Sequence, residues 1–244
     1  RYIKRCLPTF CRFVMKKFCS IEGFEERNRQ AVMLALGMFD GVHVGHQAVL
    51  NLAVEQANAF AGTAVAFSFP MHPSTLLRPE QAPPLLMNPE TKAKHLILKG
   101  MQEVILQPFD HEFSQMEATG FVEFLCAHIP TLHTLCIGRN FRFGKNRIGD
   151  HLLLRESANA FGLQVLVAES ESWGDGPVSS SRIRAALEEG RIVDVNQMLG
   201  RKYLMEGMVC SGNAVGRTIG FPTLNLNWNP QAHPCFGVYA GMVK

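Results

Sequence analysis

From Ala31 onward, short apolar runs alternate with stretches of helical period. Ala31–Leu36 (AVMLAL) is apolar throughout and predicts a buried strand. His46–Phe60 follows, with Val49, Leu52, Ala53, Ala57 and Phe60 on one helical face. Thr63–Phe69 predicts a second strand, and the Pro-rich stretch Pro70–Pro89 a long loop. Pro89–Gly100 reads as a helix with Pro89 in its first turn and Gly100 as its stop. Further strands are expected at Glu103–Gln107, Thr134–Ile137 and Leu163–Ala168, and helices at Ser114–His128 and Gly149–Phe161. Strands that alternate with helices imply an α/β domain whose parallel sheet is covered on both faces. Ligands of such sheets sit at the carboxyl ends of the strands.

After about Gly200 the period disappears. Gly200, Gly207, Gly212, Gly216 and Gly220 separate short segments, the texture of a β-rich second domain. The expected division is 1–30 as a basic leader, 31–190 as the α/β domain and 191–244 as the start of the second domain, with the boundary near Gly190–Leu199. The leader is read as poorly ordered or as lying upstream of the true start, since Met15 is the first methionine. Only about 45 residues follow the boundary, few for an independent β-domain, so the second domain is expected to be incomplete here.

Charge sharpens this division. The positive charge resides in the leader, where residues 1–29 hold 8 Lys/Arg against 3 Asp/Glu, more than the whole chain's net +3. Residues 30–244 hold 16 against 18, so the body is slightly acidic and no nucleic-acid partner is expected. The seven cysteines include no CxxC pair, which argues against zinc and thioredoxin chemistry. No apolar run is long enough to span a membrane, and Arg12, Lys16 and Lys17 interrupt any signal-peptide core. A cytoplasmic protein with no membrane partner is the expectation.

Four segments could carry chemistry. Gly37–His46 (GMFDGVHVGH) lies between a predicted strand and a predicted helix. Gly41 and Gly45 allow close backbone approach, and a helix start offers free amides to a phosphate. His43 and His46, three apart, share one side of the first turn; two surface histidines on a tight turn is the plainer alternative. Gly138–Gly144 (GRNFRFG) follows the Thr134–Ile137 strand. There Asn140 could bond a ligand and Phe143 pack on a flat ring, or the phenylalanines could simply be buried. Val178–Arg184 (VSSSRIR) offers Ser179 or Ser180 as an N-cap, with Arg182 and Arg184 available to an anion. In Gly216–Asn225 (GRTIGFPTLN), Thr223 and Asn225 share one face of a strand and offer oxygen to Mg2+.

In this order the four segments resemble those of the bacterial bifunctional FAD synthetases, which join an FMN adenylyltransferase module to a riboflavin kinase module. The resemblance runs from about Ala31 to Lys244 and includes SFPMHPSTLL at 68–77, NPETKAKHLILKG at 88–100, LGRKY at 199–203 and GVYAG at 237–241. It implies a Rossmann-like nucleotidylyltransferase domain followed by a β-barrel kinase domain. It implies ATP, FMN and riboflavin as substrates and Mg2+ as cofactor. His43, His46 and Arg184 take catalytic roles by this resemblance. Gly37, Phe39, Gly41, Gly45, Ser179, Ser180 and Ser181 become the ATP and phosphate contacts. Asn140 and Phe143 line the nucleotide–flavin cleft, and Thr223 and Asn225 become the kinase metal ligands. Serine at 181 replaces the family's usual threonine, and Leu224 stands inside its PTAN motif; both changes keep the oxygens in place. The family's kinase base lies downstream of that motif, whereas no acidic residue follows Glu206 here. These 244 residues are therefore expected to form no FMN from riboflavin and ATP. Rival readings are a nucleotidylyltransferase for phosphopantetheine or a pyridine mononucleotide, a class I aminoacyl-tRNA synthetase, and a non-catalytic flavin- or nucleotide-binding protein.

Overall fold

A computed structural model describes residues 18–24, 30–212, 218, 220, 223–228 and 231–243. Most of the expected leader, and Gly216 and Pro222 of the fourth motif, lie outside the described residues. The strands are β1 Phe18–Cys19, β2 Val32–Leu36, β3 Thr63–Ser68, β4 Glu103–Leu106, β5 Leu132–Gly138 and β6 Gln164–Ala168. They form one sheet in the order β1-β4-β3-β2-β5-β6, parallel at every pairing. The chain thus winds outward from β2 in one direction through β3 and β4, and in the other through β5 and β6. The carboxyl ends of β2 and β5 mark the topological switch point, where such sheets bind ligands. The first two motifs follow these two strands.

Alternating side chains of the buried strands feed two separate cores. Val32, Leu34 and Leu36 join Val65, Ile105, Leu135, Phe121 and Leu125 on one face. Met33 and Ala35 join Ala64, Ala66, Leu50, Ala53 and Leu96 on the other. The helices covering these faces are α1 Val44–Ala59, α2 Pro89–Leu98, α3 Ala118–His128 and α4 His151–Asn159. Most element boundaries follow local chemistry. Asn88 caps α2 by accepting from Thr91 N–H at 2.7 Å, with Pro89 at the start of the helix. Asp150 caps α4, accepting from Leu152 and Leu153 N–H at 3.0 Å each. The helix expected over Ser114–His128 is instead a helical turn at His111–Ser114, capped by Asp110, and then α3.

One expected boundary moves. The leader does not extend to residue 30: β1 pairs with β4, and Ile21 is buried with its N–H donating to Gln107 Oε1 at 2.9 Å. The Gly190–Leu199 stretch, expected to hold the boundary, contains a helix. After α5 Ser180–Glu188, α6 Ile192–Leu199 packs Val195, Met198 and Leu199 against Ile183, Leu187 and Leu86. Its apolar spacing at 195, 198 and 199 is that of an amphipathic helix, and Gly200 ends it in the left-handed conformation at φ 64°. Beyond it, β9 Met208–Cys210 and β10 Asn225–Asn227 form an antiparallel pair; a short hairpin, β7 Ser172–Trp173 and β8 Gly176–Pro177, precedes α5.

Candidate active site at the carboxyl end of strand β2

The loop leaving β2 is backbone-strained. Phe39, Gly41 and Val42 have φ of 49°, 85° and 42°. Left-handed geometry is ordinary for Gly41 and costly for branched Val42, on the order of 1–3 kcal/mol. Such a loop persists only if its surroundings over-determine it, and here outside donors hold its carbonyls. Ser68 Oγ donates to Met38 O at 2.8 Å and Lys92 Nζ donates to the same oxygen at 3.2 Å. Ser180 Oγ donates to Asp40 O at 2.8 Å. Arg201 Nη2 donates to Gly41 O at 2.9 Å, and Gln47 Nε2 to Val42 O at 2.9 Å.

The loop delivers His43 to the N-cap of α1, where its Nδ1 accepts from His46 N–H at 3.2 Å. A neutral imidazole that accepts at Nδ1 carries its proton on Nε2, which is then a donor. The rings of His43 and His46 stack with centroids 3.6 Å apart, and Phe39 meets His46 edge-on at 5.4 Å. A Cβ on Gly45 would sit 3.3 Å from the His43 ring, so the glycine makes room for this stack. Burial, and then the charge of Arg201, push His43 down to about 4. Burial, then His43 and Lys92, hold His46 well below the usual histidine range. Both rings are therefore neutral near pH 7. His46 Nδ1 is buried and has no hydrogen-bond partner among the described residues.

Three cations contact residues 38–42, whose only carboxylate is Asp40. Lys92 is 1% exposed, bridges Met38 O and Phe69 O, and is lowered to about 8 by burial. Arg184 donates to Asp40 Oδ2 at 2.6 Å and to Pro84 O at 2.6 Å. Asp40 also accepts the Leu86 N–H at 3.0 and 3.1 Å. A strained loop, a helix start and an excess of positive charge describe a site for a polyanion. Its nitrogen-rich lining does not suit Mg2+, which prefers oxygen. Among the described residues no group of three or more His, Cys, Asp or Glu could hold a metal.

Comparison with known proteins fits this arrangement. The FAD synthetase family model matches residues 25–182. The chain belongs to the FAD synthetase family. The riboflavin kinase family model matches residues 199–244. Among curated relatives, the bifunctional riboflavin kinase/FMN adenylyltransferase of Escherichia coli K12 is 31% identical over 226 residues, covering 93% of this chain and 72% of the relative. The protein of the same name from Haemophilus influenzae is 34% identical over 226 residues, covering 92% and 73%. That from Bacillus subtilis is 33% identical over 218 residues, covering 88% and 68%. A crystal structure from Streptococcus pneumoniae named as a macrolide-efflux protein superposes with a TM-score of 0.77 at 27% identity, covering 88% of this chain and 69% of that one. The parallel sheet is thus the Rossmann-like nucleotidyltransferase layer expected of a FAD synthetase.

Within this FAD synthetase the expected site residues divide. His43, His46, Gly41 and Gly45 form the loop and helix start, and Gly37 opens the loop. Phe39 is 1% exposed, so it seats His46 and has no face free for phosphate. Ser179 caps α5 by accepting from Arg182 N–H at 3.3 Å. Ser180 ties α5 to the loop, while Ser181 is exposed. Arg184 is 8% exposed and committed to Asp40, so the expectation of a free phosphate clamp is corrected to a buried ion pair. Arg182 turns back to the Trp173, Gly176 and Pro177 carbonyls.

Phe143 is also corrected. It is 6% exposed and packs on Phe121 and Phe141 at 5.3 and 5.7 Å, a core residue and not a cleft wall. Asn140 is exposed just after β5. Thr223 and Asn225 are exposed in the β9–β10 region. Asp40, Lys92, Gln47 and Arg201 went unrecognised in the sequence. Lys92 did leave a signal: it adjoins Ala93 and stands four before Leu96 on the buried stripe of α2, where an unpaired lysine is out of place.

Proposed function

We propose that this chain transfers the AMP group of ATP to FMN, releasing pyrophosphate and forming FAD. The carrying observation is the stacked, neutral His43–His46 pair at the start of α1, ringed by Lys92, Arg184 and Arg201, in a chain of the FAD synthetase family. An FMN phosphate oxygen attacks the α-phosphorus, and the bond from that phosphorus to the bridging oxygen of pyrophosphate breaks. No protein nucleophile is required. The work is positioning and stabilising charge as it shifts onto the leaving pyrophosphate. His43 Nε2–H and a ring N–H of His46 donate to phosphate oxygens. Lys92 and Arg201 supply positive field from behind the loop, and Arg184 acts through Asp40. Ser181 and Asn140 are assigned to the outer rim of the nucleotide site. The flavin ring is assigned to a cleft of about 660 Å3 at the carboxyl ends of β3 and β4, with Pro70, Leu106 and Pro108 in its walls.

Mg2+ supplies charge neutralisation of the triphosphate when it is bound. The residue chemistry supports its arrival on ATP at the first site. In the second module, Thr223 and Asn225 are exposed neutral oxygen donors and suit a cation that keeps its water and phosphate ligands. We assign that module, which begins after α6, a place in the family's kinase site, with phosphorylation itself requiring a carboxylate base that residues 207–244 do not supply. No helix among the described residues is long and apolar enough to cross a membrane. The slight acidity of residues 30–244 supports small-molecule partners over nucleic acid.

The deciding experiment offers FMN, phosphopantetheine and nicotinate mononucleotide side by side with ATP and reads pyrophosphate release. Release with FMN alone, accompanied by FAD, supports the proposal. Release with another acceptor, or FMN binding without release, overturns it.

The depressed histidines give a pH signature. Between the ordinary value of 6.5 and about 4, the unfolded chain binds protons that folded His43 refuses, so stability falls as pH drops through this window. A bound triphosphate favours the charged rings and raises both values. ATP binding at pH 6 is therefore expected to take up protons. Calorimetry in buffers of different ionisation enthalpy would read this uptake, and a buffer-independent heat would separate the triphosphate from the two rings.

A further inference from the structure

The chain that leaves α6 returns to the phosphate loop. Gly200 turns it so closely that an added Cβ would lie 2.9 Å from Val44 Cγ1, in the first turn of α1. The next residue, Arg201, reaches back across the boundary between the two matched families. Its Nη2 donates to Gly41 O at 2.9 Å, and its Nη1 to Val42 O and Leu199 O at 3.3 Å each. Gln47 Nε2 bonds the same Val42 and Leu199 carbonyls at 2.9 Å each. Two planar donors, one from each family segment, therefore bracket the strained Gly41–Val42 turn immediately before His43. No carboxylate lies within ion-pair distance of Arg201 among the described residues, and its Nε is buried without a partner. Protein charge does not explain why a guanidinium is half-buried here; the turn's carbonyls do.

We infer that Arg201 is a positioning residue for adenylyl transfer: its guanidinium locks the Gly41–Val42 turn and so fixes His43 and His46 in their stacked, capped arrangement. The first residues of the kinase-family segment thereby complete the adenylyltransferase site, and the activity of one module depends on the seating of the next. Lysine is not equivalent, because its single nitrogen cannot reproduce the planar fork that sets Nη2 on Gly41 O and Nη1 on Val42 O and Leu199 O. Two further contacts hold the same segment in place. Thr91 Oγ1 on α2 donates to Glu206 Oε2 at 2.7 Å, and Asn196 Oδ1 on α6 accepts from Tyr203 N–H at 2.6 Å.

This inference rests on the FMN adenylyltransferase reading, and the test separates the two. The native chain is assayed first for FAD from FMN and ATP; no FAD there overturns the activity and leaves no adenylyl transfer for Arg201 to position. With native activity present, Arg201→Lys and Arg201→Ala are compared by kcat, by KM for each substrate and by thermal unfolding. Misplacing catalytic groups by about 1 Å costs on the order of 100-fold. A drop in kcat of about 10- to 100-fold in both variants is expected, with both KM values within about threefold of native. Low, non-denaturing guanidinium is expected to restore kcat in Arg201→Ala and not in Arg201→Lys. Native kcat in the folded lysine variant, or a loss confined to KM for ATP, would mean that Arg201 serves only as a charge. If Arg201→Ala fails to fold, the lysine variant decides by the same kcat criterion.

Discussion

Replacing His46 with alanine is expected to lower the rate of FAD formation about 100- to 1,000-fold, the cost of losing a donor aimed at developing charge, while the domain stays folded. The structure makes this substitution unusually clean. Among the described residues His46 Nδ1 has no hydrogen-bond partner, so truncation breaks no bond at that nitrogen. The α1 cap acceptor is His43, and the His46 backbone amide that it accepts from remains in the variant. What is lost is the ring stack at 3.6 Å and the edge contact with Phe39, a packing loss of about 1–2 kcal/mol in a half-buried setting. Replacing His43 is a blunter probe, because it also removes the cap, worth about 0.5–2 kcal/mol. FAD formation measured by chromatography, beside a thermal melt, checks the prediction. Turnover near the native rate in folded His46→Ala would remove the histidines from the mechanism.

The layout of the first domain was legible because it depends on local pattern. Strands β2 to β6 appear where apolar runs predict them, and α2 starts at Pro89 because proline and an Asn cap act within a few residues. The first edge of the sheet was not legible, for the opposite reason. β1 is two residues long, and its pairing with Val104 and Ile105 is a contact across more than eighty positions that no local period encodes. Helix α6 lies within the stretch expected to hold the domain boundary, and apolar residues at 195, 198 and 199 mark its buried stripe. The site divides in the same way. The two histidines and the helix start are sequence-local. Asp40, Lys92, Arg184 and Arg201 meet only in the fold, so spacing could name Arg184 as a cation but not reveal that Asp40, 144 positions away, had already taken it.

That pairing carries a second large expected effect. Asp40→Ala should destabilise the protein by about 3–5 kcal/mol, because it strands Arg184 in a site where the pair is 10% and 2% exposed. The Leu86 N–H loses its acceptor as well. Domains hold only about 5–15 kcal/mol in total, so the melting temperature should fall by roughly 10 °C or more. Arg184→Met alone should cost a similar amount, since it leaves the carboxylate buried. The double variant Asp40→Leu with Arg184→Met removes both charges and should recover most of the stability. Activity should not recover with it. Asp40 anchors the loop to Leu86 and Arg184, and among the described residues only the Ser180 bond to the Asp40 carbonyl would remain to hold that point. Denaturant melts and FAD assays on all four proteins test this. If FAD formation returns in step with stability, the ion pair only folds the domain. If the refolded double variant stays slow, the pair positions the loop that carries His43 and His46. A double variant that remains as unstable as the singles would show that hydrogen bonds to Leu86 and Pro84, and not the buried charges, dominate this junction.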